Sequence, residues 1–233
     1  MSTEFYYRNM KCKECCEEVI PVFAFFKYIP KDQKEDLVSK AAFNFYKFGN
    51  DLPYFVKKFV EFYNKRIEDD PEYKQFDLVC LCPSHEQGGL NKNMLGLIQE
   101  FSKQTGVPYV QVLYRTRMTE PQNKQETVGD RDKNVRDSIS ISEQAKGKNL
   151  IVIDNECTSG ATIRDIHRTC KRLLVKNVVF LTVGISARFE GTDFDINPNF
   201  TGKISRVIKT FHGTVKFTRE QREEWKERTS KGS

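Results

Sequence analysis

"NLIVIDNECTSGATIRDIHRTC", residues 149–170, changes character twice. Asn149 to Ile153 is apolar and β-branched and predicts a strand, closed by Asp154. A small hydroxyl-rich turn follows, Thr158-Ser159-Gly160-Ala161-Thr162, and Ala161 to Leu174 then has helical spacing. Such a strand–turn–helix has the parts of a phosphate site. A helix N-terminus leaves N–H groups unpaired and carries partial positive charge, so it attracts anions. Gly160 lets the backbone approach a ligand closely, and Thr158, Ser159 and Thr162 add hydroxyl donors. Ligands of open α/β sheets sit at the carboxyl ends of the strands, where Asp154 stands. A carboxylate there repels phosphate but accepts hydrogen bonds from sugar hydroxyls. The turn therefore suits a phosphorylated sugar, with the plainer alternative of a capped strand-to-helix turn and a structural acid. Neither G-x-G-x-x-G after a strand nor G-x-x-x-x-G-K-[ST] occurs.

Outward from this stretch the same alternation recurs. Phe76 to Cys82 is a short apolar run stopped by Pro83, which predicts a buried strand. Ser84 to Asn91 is a polar loop, Met94 to Gln104 a helix, Tyr109 to Leu113 a strand, and Val178 to Ile185 another. The order predicts an α/β fold, a mainly parallel sheet flanked by helices. Before it, Val19 to Tyr28 is apolar and aromatic, and Lys34 to Phe48 and Pro53 to Ile67 have helical spacing. Residues 114–137 are polar, rich in both charges and weakly periodic, which marks a functional or moving loop. Residues 218–229 predict a charged helix. The domain organisation that follows is a Cys-containing and helical segment at 1–70 that could form a hood, a core at 71–188, and a C-terminal extension at 189–233.

The chain of 233 residues carries a net charge of +6 from 38 basic and 32 acidic residues, a mixed surface that mildly favours anionic partners. Its longest apolar run, Val19 to Phe26, contains a proline and is far shorter than the roughly 20 residues a membrane helix needs. The first residues lack a basic segment followed by an apolar one. A cytoplasmic protein without membrane contact is expected. Seven cysteines, an odd number, argue against a disulfide framework. Cys12 and Cys15 have the spacing of half a zinc site, which His85 or a second chain would have to complete; otherwise the thiols are free.

"LIVIDNECTSGATI" resembles the phosphoribosyl pyrophosphate (PRPP) loop of type I phosphoribosyltransferases: apolar residues, two acids, two variable residues, then Thr-Thr/Ser-Gly-x-Thr. Asp154, Thr158, Ser159, Gly160 and Thr162 match it, and Asn155 departs where the family has a second acid. The segments "YKFGND" (46–51), "FDLVCLCPSHEQGGLNKN" (76–93) and "LYRTRMTEPQNKQ" (113–125), with Arg131 and Asn134, are similar in order to the ComF-like branch associated with DNA uptake. Gly89 or Leu90 stands where that branch has an arginine, and Cys12 with Cys15 is similar to half of its zinc ribbon.

The resemblance implies PRPP bound with magnesium. Its 5-phosphate would rest on Cys157, Thr158, Ser159, Gly160, Ala161 and Thr162. Asp154 and Asn155 would be the catalytic pair at the ribose, with Asp154 acting indirectly on the metal. Pro83, Ser84 and Lys92 would face the pyrophosphate, and Arg115, Arg117, Lys124 and Arg131 would close over it as a cationic lid. The implied activity is transfer of phosphoribose to a base-like acceptor with release of pyrophosphate. The loss of charge at Asn155 leaves a second reading open, a non-catalytic PRPP- or nucleotide-sensing or DNA-uptake protein. Basic residues such as Lys203, Arg206 and Lys209 leave a third, binding of nucleic acid. Self-association into a homo-oligomer is compatible with each.

Overall fold

Nine consecutive residues of the opening stretch, Asn149–Cys157, form strand β6, whose residues 150–153 alternate between two buried layers. A computed structural model describes residues 6–12, 18–28, 37–69, 76–121, 124–125, 127–186 and 196–197. Their elements are β1 (Tyr6–Cys12), β2 (Glu18–Tyr28), α1 (Leu37–Phe48), α2 (Leu52–Asp69), β3 (Leu78–Leu81), α3 (Lys92–Thr105), β4 (Leu113–Arg115), α4 (Val128–Val135), β5 (Ile139–Ile141), β6, α5 (Ala161–Arg172), β7 (Asn177–Ser186) and β8 (Ile196–Asn197).

The main sheet has the order β3-β6-β7-β2-β1-β8. β3, β6, β7 and β2 are parallel, while β1 runs antiparallel to β2 and β8 antiparallel to β1. β4 and β5 form a separate antiparallel pair. The architecture is a mainly parallel sheet flanked by helices, as the alternation of elements predicts. β3, β6 and β7 read as nearly continuous apolar runs because both of their faces are covered. On one face Ile151, Ile153, Val179 and Leu181 pack with Phe23 against α1, α2 and α3. The aromatic rings of that layer touch one another, Phe45 on Phe55 at 4.5 Å and Phe25 on Phe59 at 4.4 Å between ring centres. On the other face Leu150, Val152, Cys80 and Phe180 pack with Ile163, Ile166 and Cys170 of α5.

Helix ends follow local chemistry. The Asn91 side chain caps α3 by accepting from the Asn93 and Met94 amides at 2.9 and 3.1 Å. Gly106 ends the helix in a left-handed conformation, φ 75°. The Asn93 side chain donates to the Tyr46 carbonyl at 2.9 Å, fixing α3 to α1.

Three expectations are corrected. The first 70 residues are not only helical: residues 6–12 and 18–28 are strands, and β2 pairs with β7 inside the main sheet. An 11-residue apolar and aromatic run with a proline within it is a strand here because its pleat buries Phe23 on one face and Val22 and Ala24 on the other. Of Tyr109 to Leu113, Tyr109 makes an isolated bridge to Val79 and Leu113 opens β4, and the residues between them belong to no strand. The Gln111 side chain replaces the ladder, accepting from the Leu81 amide at 3.2 Å and donating to its carbonyl at 3.0 Å. Residues 114–137 contain regular structure, the rest of β4 and the whole of α4. A two-turn helix with buried Val135 and Arg131 is too short and too polar to show a period. The expected helix at 218–229 lies outside the described residues.

Candidate functional site

The parallel strands end together on a cleft of about 520 Å3, within the usual range for small-molecule sites. Its floor is the carboxyl end of β6 and the turn that follows it; α1 supplies one wall through Phe43, Tyr46 and Lys47, and the loop after β3 another. Asp154, Asn155, Cys157, Thr158, Ser159, Gly160, Ala161, Thr162, Pro83, Ser84, Arg115 and Arg131 all line it. Lys92, Arg117 and Lys124 do not belong to the lining.

The turn is built tightly. Gly160 is left-handed, φ 78°, and a methyl group there would overlap the sulfur of Met10, which arrives from β1. The Met10 sulfur also lies 3.8 Å from Cys157 Sγ. Glycine is therefore favoured at 160 by conformation, and a side chain there would also have to displace the flexible end of Met10. Ser159 is buried, and its hydroxyl accepts from the Ala161 amide at 3.4 Å. Arg164, one turn into α5, donates to the Ser159 carbonyl at 3.0 Å and to Asp132 of α4 at 2.7 and 3.1 Å. The turn is thus held from β1 below and from α4 beside it. Gly160, at the N-cap position of α5, offers no side-chain cap, and Thr162 is half-buried at the cleft.

β6 continues past the five residues read as strand, through Cys157. Asp154 and Glu156 stand two residues apart at the end of the strand, and both line the cleft. Burial pushes Asp154 up to about 6, against the Asn155 N–H, the Cys82 thiol and Arg115, which favour its charged form. The Asn155 amide donates to Asp154 Oδ1 at 2.8 Å. Burial pushes Glu156 up to about 7; the Ser186 hydroxyl and Arg131 oppose this, and the nearby charge of Asp154 adds to it. Tyr46 is raised as well, by burial first and by Asp154 second.

The cationic residues fall into two groups. Arg115 and Arg131 are buried. The Arg115 guanidinium donates to the carbonyls of Ser84 (3.0 Å) and Pro83 (3.5 Å) and to the Ser138 hydroxyl (2.5 Å), so it braces the loop after β3 from below. Arg131 donates from Nε to the Gln125 carbonyl at 3.1 Å. Arg117 is exposed and donates to the Asn134 and Arg136 carbonyls at 3.0 and 3.2 Å, and Lys124 pairs with Glu120 at 3.9 Å. The Asn134 side chain closes the same segment, bonded to the amide and carbonyl of Glu120. Below these, the buried Asp165 accepts from the Asp137 and Ser138 amides at 2.9 and 3.1 Å and from Arg168 at 2.8 Å.

Sequence reasoning missed Glu156, Asp165 and Arg164. Glu156 was legible as a second acid at strand spacing from Asp154, once the strand is extended past Ile153. Asp165 and Arg164 look like any charged residues of an amphipathic helix. Among the described residues no group of three or more His, Cys, Asp or Glu side chains is placed to hold a metal ion. Cys80, Cys82, Cys157 and Cys170 are free thiols. Burial raises Cys80 and Cys82 well above the ordinary range and Cys170 to about 12, which makes these thiols inert. Cys15 and the Cys12 side chain lie outside the described residues, as do Lys203, Arg206 and Lys209. Among the described residues no helix is long and apolar enough to cross a membrane.

No protein-family model and no curated protein matches the chain. Among solved structures it is similar to the glutamine PRPP amidotransferase from B. subtilis, complexed with ADP and GMP, at 18% identity and a TM-score of 0.34 over 54% of this chain. The chain spans 26% of that protein's length. It is also similar to adenine phosphoribosyltransferase from Saccharomyces cerevisiae, at 17% identity and a TM-score of 0.37, covering 57% of this chain and 69% of that one. A further adenine phosphoribosyltransferase is similar at 16% identity and a TM-score of 0.38, covering 59% and 72%.

Proposed function

We propose that the cleft binds PRPP or a closely related phosphorylated ribose, and transfers its phosphoribose to a base-like acceptor. The observation that carries this reading is the juxtaposition on one strand end: a left-handed glycine turn opening α5, immediately after carboxylates at the floor of a cleft of about 520 Å3. The phosphate would take the amide groups of residues 159–162 and the hydroxyls of Thr158 and Thr162. Asp154 would accept the ribose hydroxyls. The pyrophosphate would lie along Pro83 and Ser84, whose carbonyls Arg115 already engages, leaving that loop's outer face to the ligand. In the transfer, an acceptor nitrogen forms a bond to C1 as the C1–O bond to pyrophosphate breaks, with its electron pair leaving on the pyrophosphate. Asp154 would stabilise the positive charge developing on the ring.

The donor set suits magnesium: one or two carboxylate oxygens plus ligand phosphates are its usual environment, and a full protein cage is not needed. Asp154 would hold it indirectly; when bound, the ion would neutralise charge on the pyrophosphate. The ComF-like series of segments adds support, because "YKFGND", the loop after β3 and Arg115 with Arg131 all contribute residues to the lining.

Calorimetric titration with PRPP and magnesium tests the reading. Saturable binding is expected; its absence overturns the proposal. Asn155 favours a second reading, a PRPP or nucleotide sensor that binds without turnover. Release of pyrophosphate in the presence of a panel of bases separates the two, and gain of turnover in Asn155→Asp alone would favour the sensor.

A further inference from the structure

Asn155 removes an acid from the position where the resemblance expects one, yet the strand end still carries two carboxylates. Ile151 and Ile153 face the α1–α3 layer, while Leu150 and Val152 face α5. Beyond Ile153 the strict alternation ends: Cys157 packs with Leu150 and Val152 in the α5 layer, and Asp154, Asn155 and Glu156 all line the cleft. In the pairing of β6 with β7, Asp154 sits opposite Thr182 and Glu156 opposite Gly184, which fixes both acids at the carboxyl end of the interior parallel strands.

Each acid also has its own support. Asp154 receives the Asn155 amide and the Cys82 thiol, with Arg115 near it. Glu156 receives the Ser186 hydroxyl from the end of β7, with Arg131 near it. Ser186, Arg115 and Arg131 are all buried, so the donors and cations around the pair are fixed in place. A glutamate left half-buried at a strand end without a ligand costs stability with nothing gained in return; one set on a cleft floor, beside a buried serine and a buried arginine, has the features of a positioned ligand-binding group.

We infer that Glu156 is the second carboxylate of the site, carrying the role expected at position 155 from two residues further along the same strand. It accepts a ribose hydroxyl and, with Asp154, balances the cation that accompanies the pyrophosphate. This rests on the reading of the cleft as a PRPP site.

The test is calorimetric titration of PRPP at a series of magnesium chloride concentrations, on four proteins: wild type, Glu156→Gln, Glu156→Asp, and the double variant Glu156→Gln with Asn155→Asp. Glu156→Gln removes a half-buried charge without changing shape, so it is expected to fold, as thermal melting will verify. About a tenfold or greater loss of affinity is expected for Glu156→Gln, with a higher magnesium concentration needed for half-maximal binding. Glu156→Asp, which keeps the charge, is expected within about threefold of wild type, and the double variant is expected to stay weak. Wild-type affinity in Glu156→Gln, or its restoration by Asn155→Asp, overturns the assignment while leaving the PRPP reading standing. Failure of the wild type itself to bind PRPP overturns both.

Discussion

At one end of the segment between Ile153 and Ile163 stand two carboxylates whose ionisation burial disfavours; at the other is a turn of small residues held in place by Met10 and Arg164. Asp154 and Glu156 pull against folding, because each would ionise more readily in the unfolded chain. The turn at 158–162 contributes to folding through the Gly160–Met10 fit and the Arg164 bridge. Adjacent residues thus divide the work: the turn is a rigid seat held by its neighbours, and the acids are held at a cost that only a ligand rewards. Stored strain of this kind belongs to sites that bind.

The contrast makes ordered predictions. Asp165→Ala should cost most, about 3–5 kcal/mol in chemical denaturation, because it strips a buried partner from two amides and Arg168 beneath the α4 end. Gly160→Ala should cost about 2–4 kcal/mol, from the left-handed penalty plus overlap with Met10, and should lower the melting temperature by roughly 5–12 °C. A smaller loss would mean that the turn is less tightly seated than the geometry indicates.

The acids should behave in the opposite sense. Their folded-state values, about 6 and about 7, lie above the ordinary 3.8 and 4.5. The folded protein therefore holds more protons than the unfolded chain between pH 4 and 7, and its stability should fall as pH rises through that window. Glu156→Gln should flatten the profile and, at pH 8, stabilise the ligand-free protein by about 1–2 kcal/mol. A variant less stable than wild type at pH 8 would contradict the division of labour. The smallest effect belongs to Thr162→Val, expected to weaken inorganic phosphate binding about three- to tenfold while leaving the melting temperature within about 2 °C.

How much of this was legible depended on the range of the interactions. Strand, turn and helix at 149–174 follow from composition and period alone, because β6 and α5 are each long enough to show them. The cleft's position follows from β6 being parallel and interior. Glu156 was hidden by reading the strand as ended at Ile153, since polar residues at a strand's carboxyl end look like loop. Residues 114–137 were read as a loop for the same reason: α4 is stabilised by Arg131, Asp132 and the Asp165 side chain rather than by an apolar stripe. Arg115 was expected as a lid cation by its charge. It lines the cleft and also braces the loop after β3, donating to carbonyls some thirty residues earlier.

Met10 and Cys157 touch across a separation of 147 residues. A contact of that span raises the loop-closure entropy of the structure that contains it and delays its formation. During synthesis, the earliest strand must wait for nearly the whole core before the residue that wedges the turn finds its place. The ligand seat is thus among the late products of folding, and an alteration near residue 10, far from the cleft in sequence, would be read out first as a defect in assembling it.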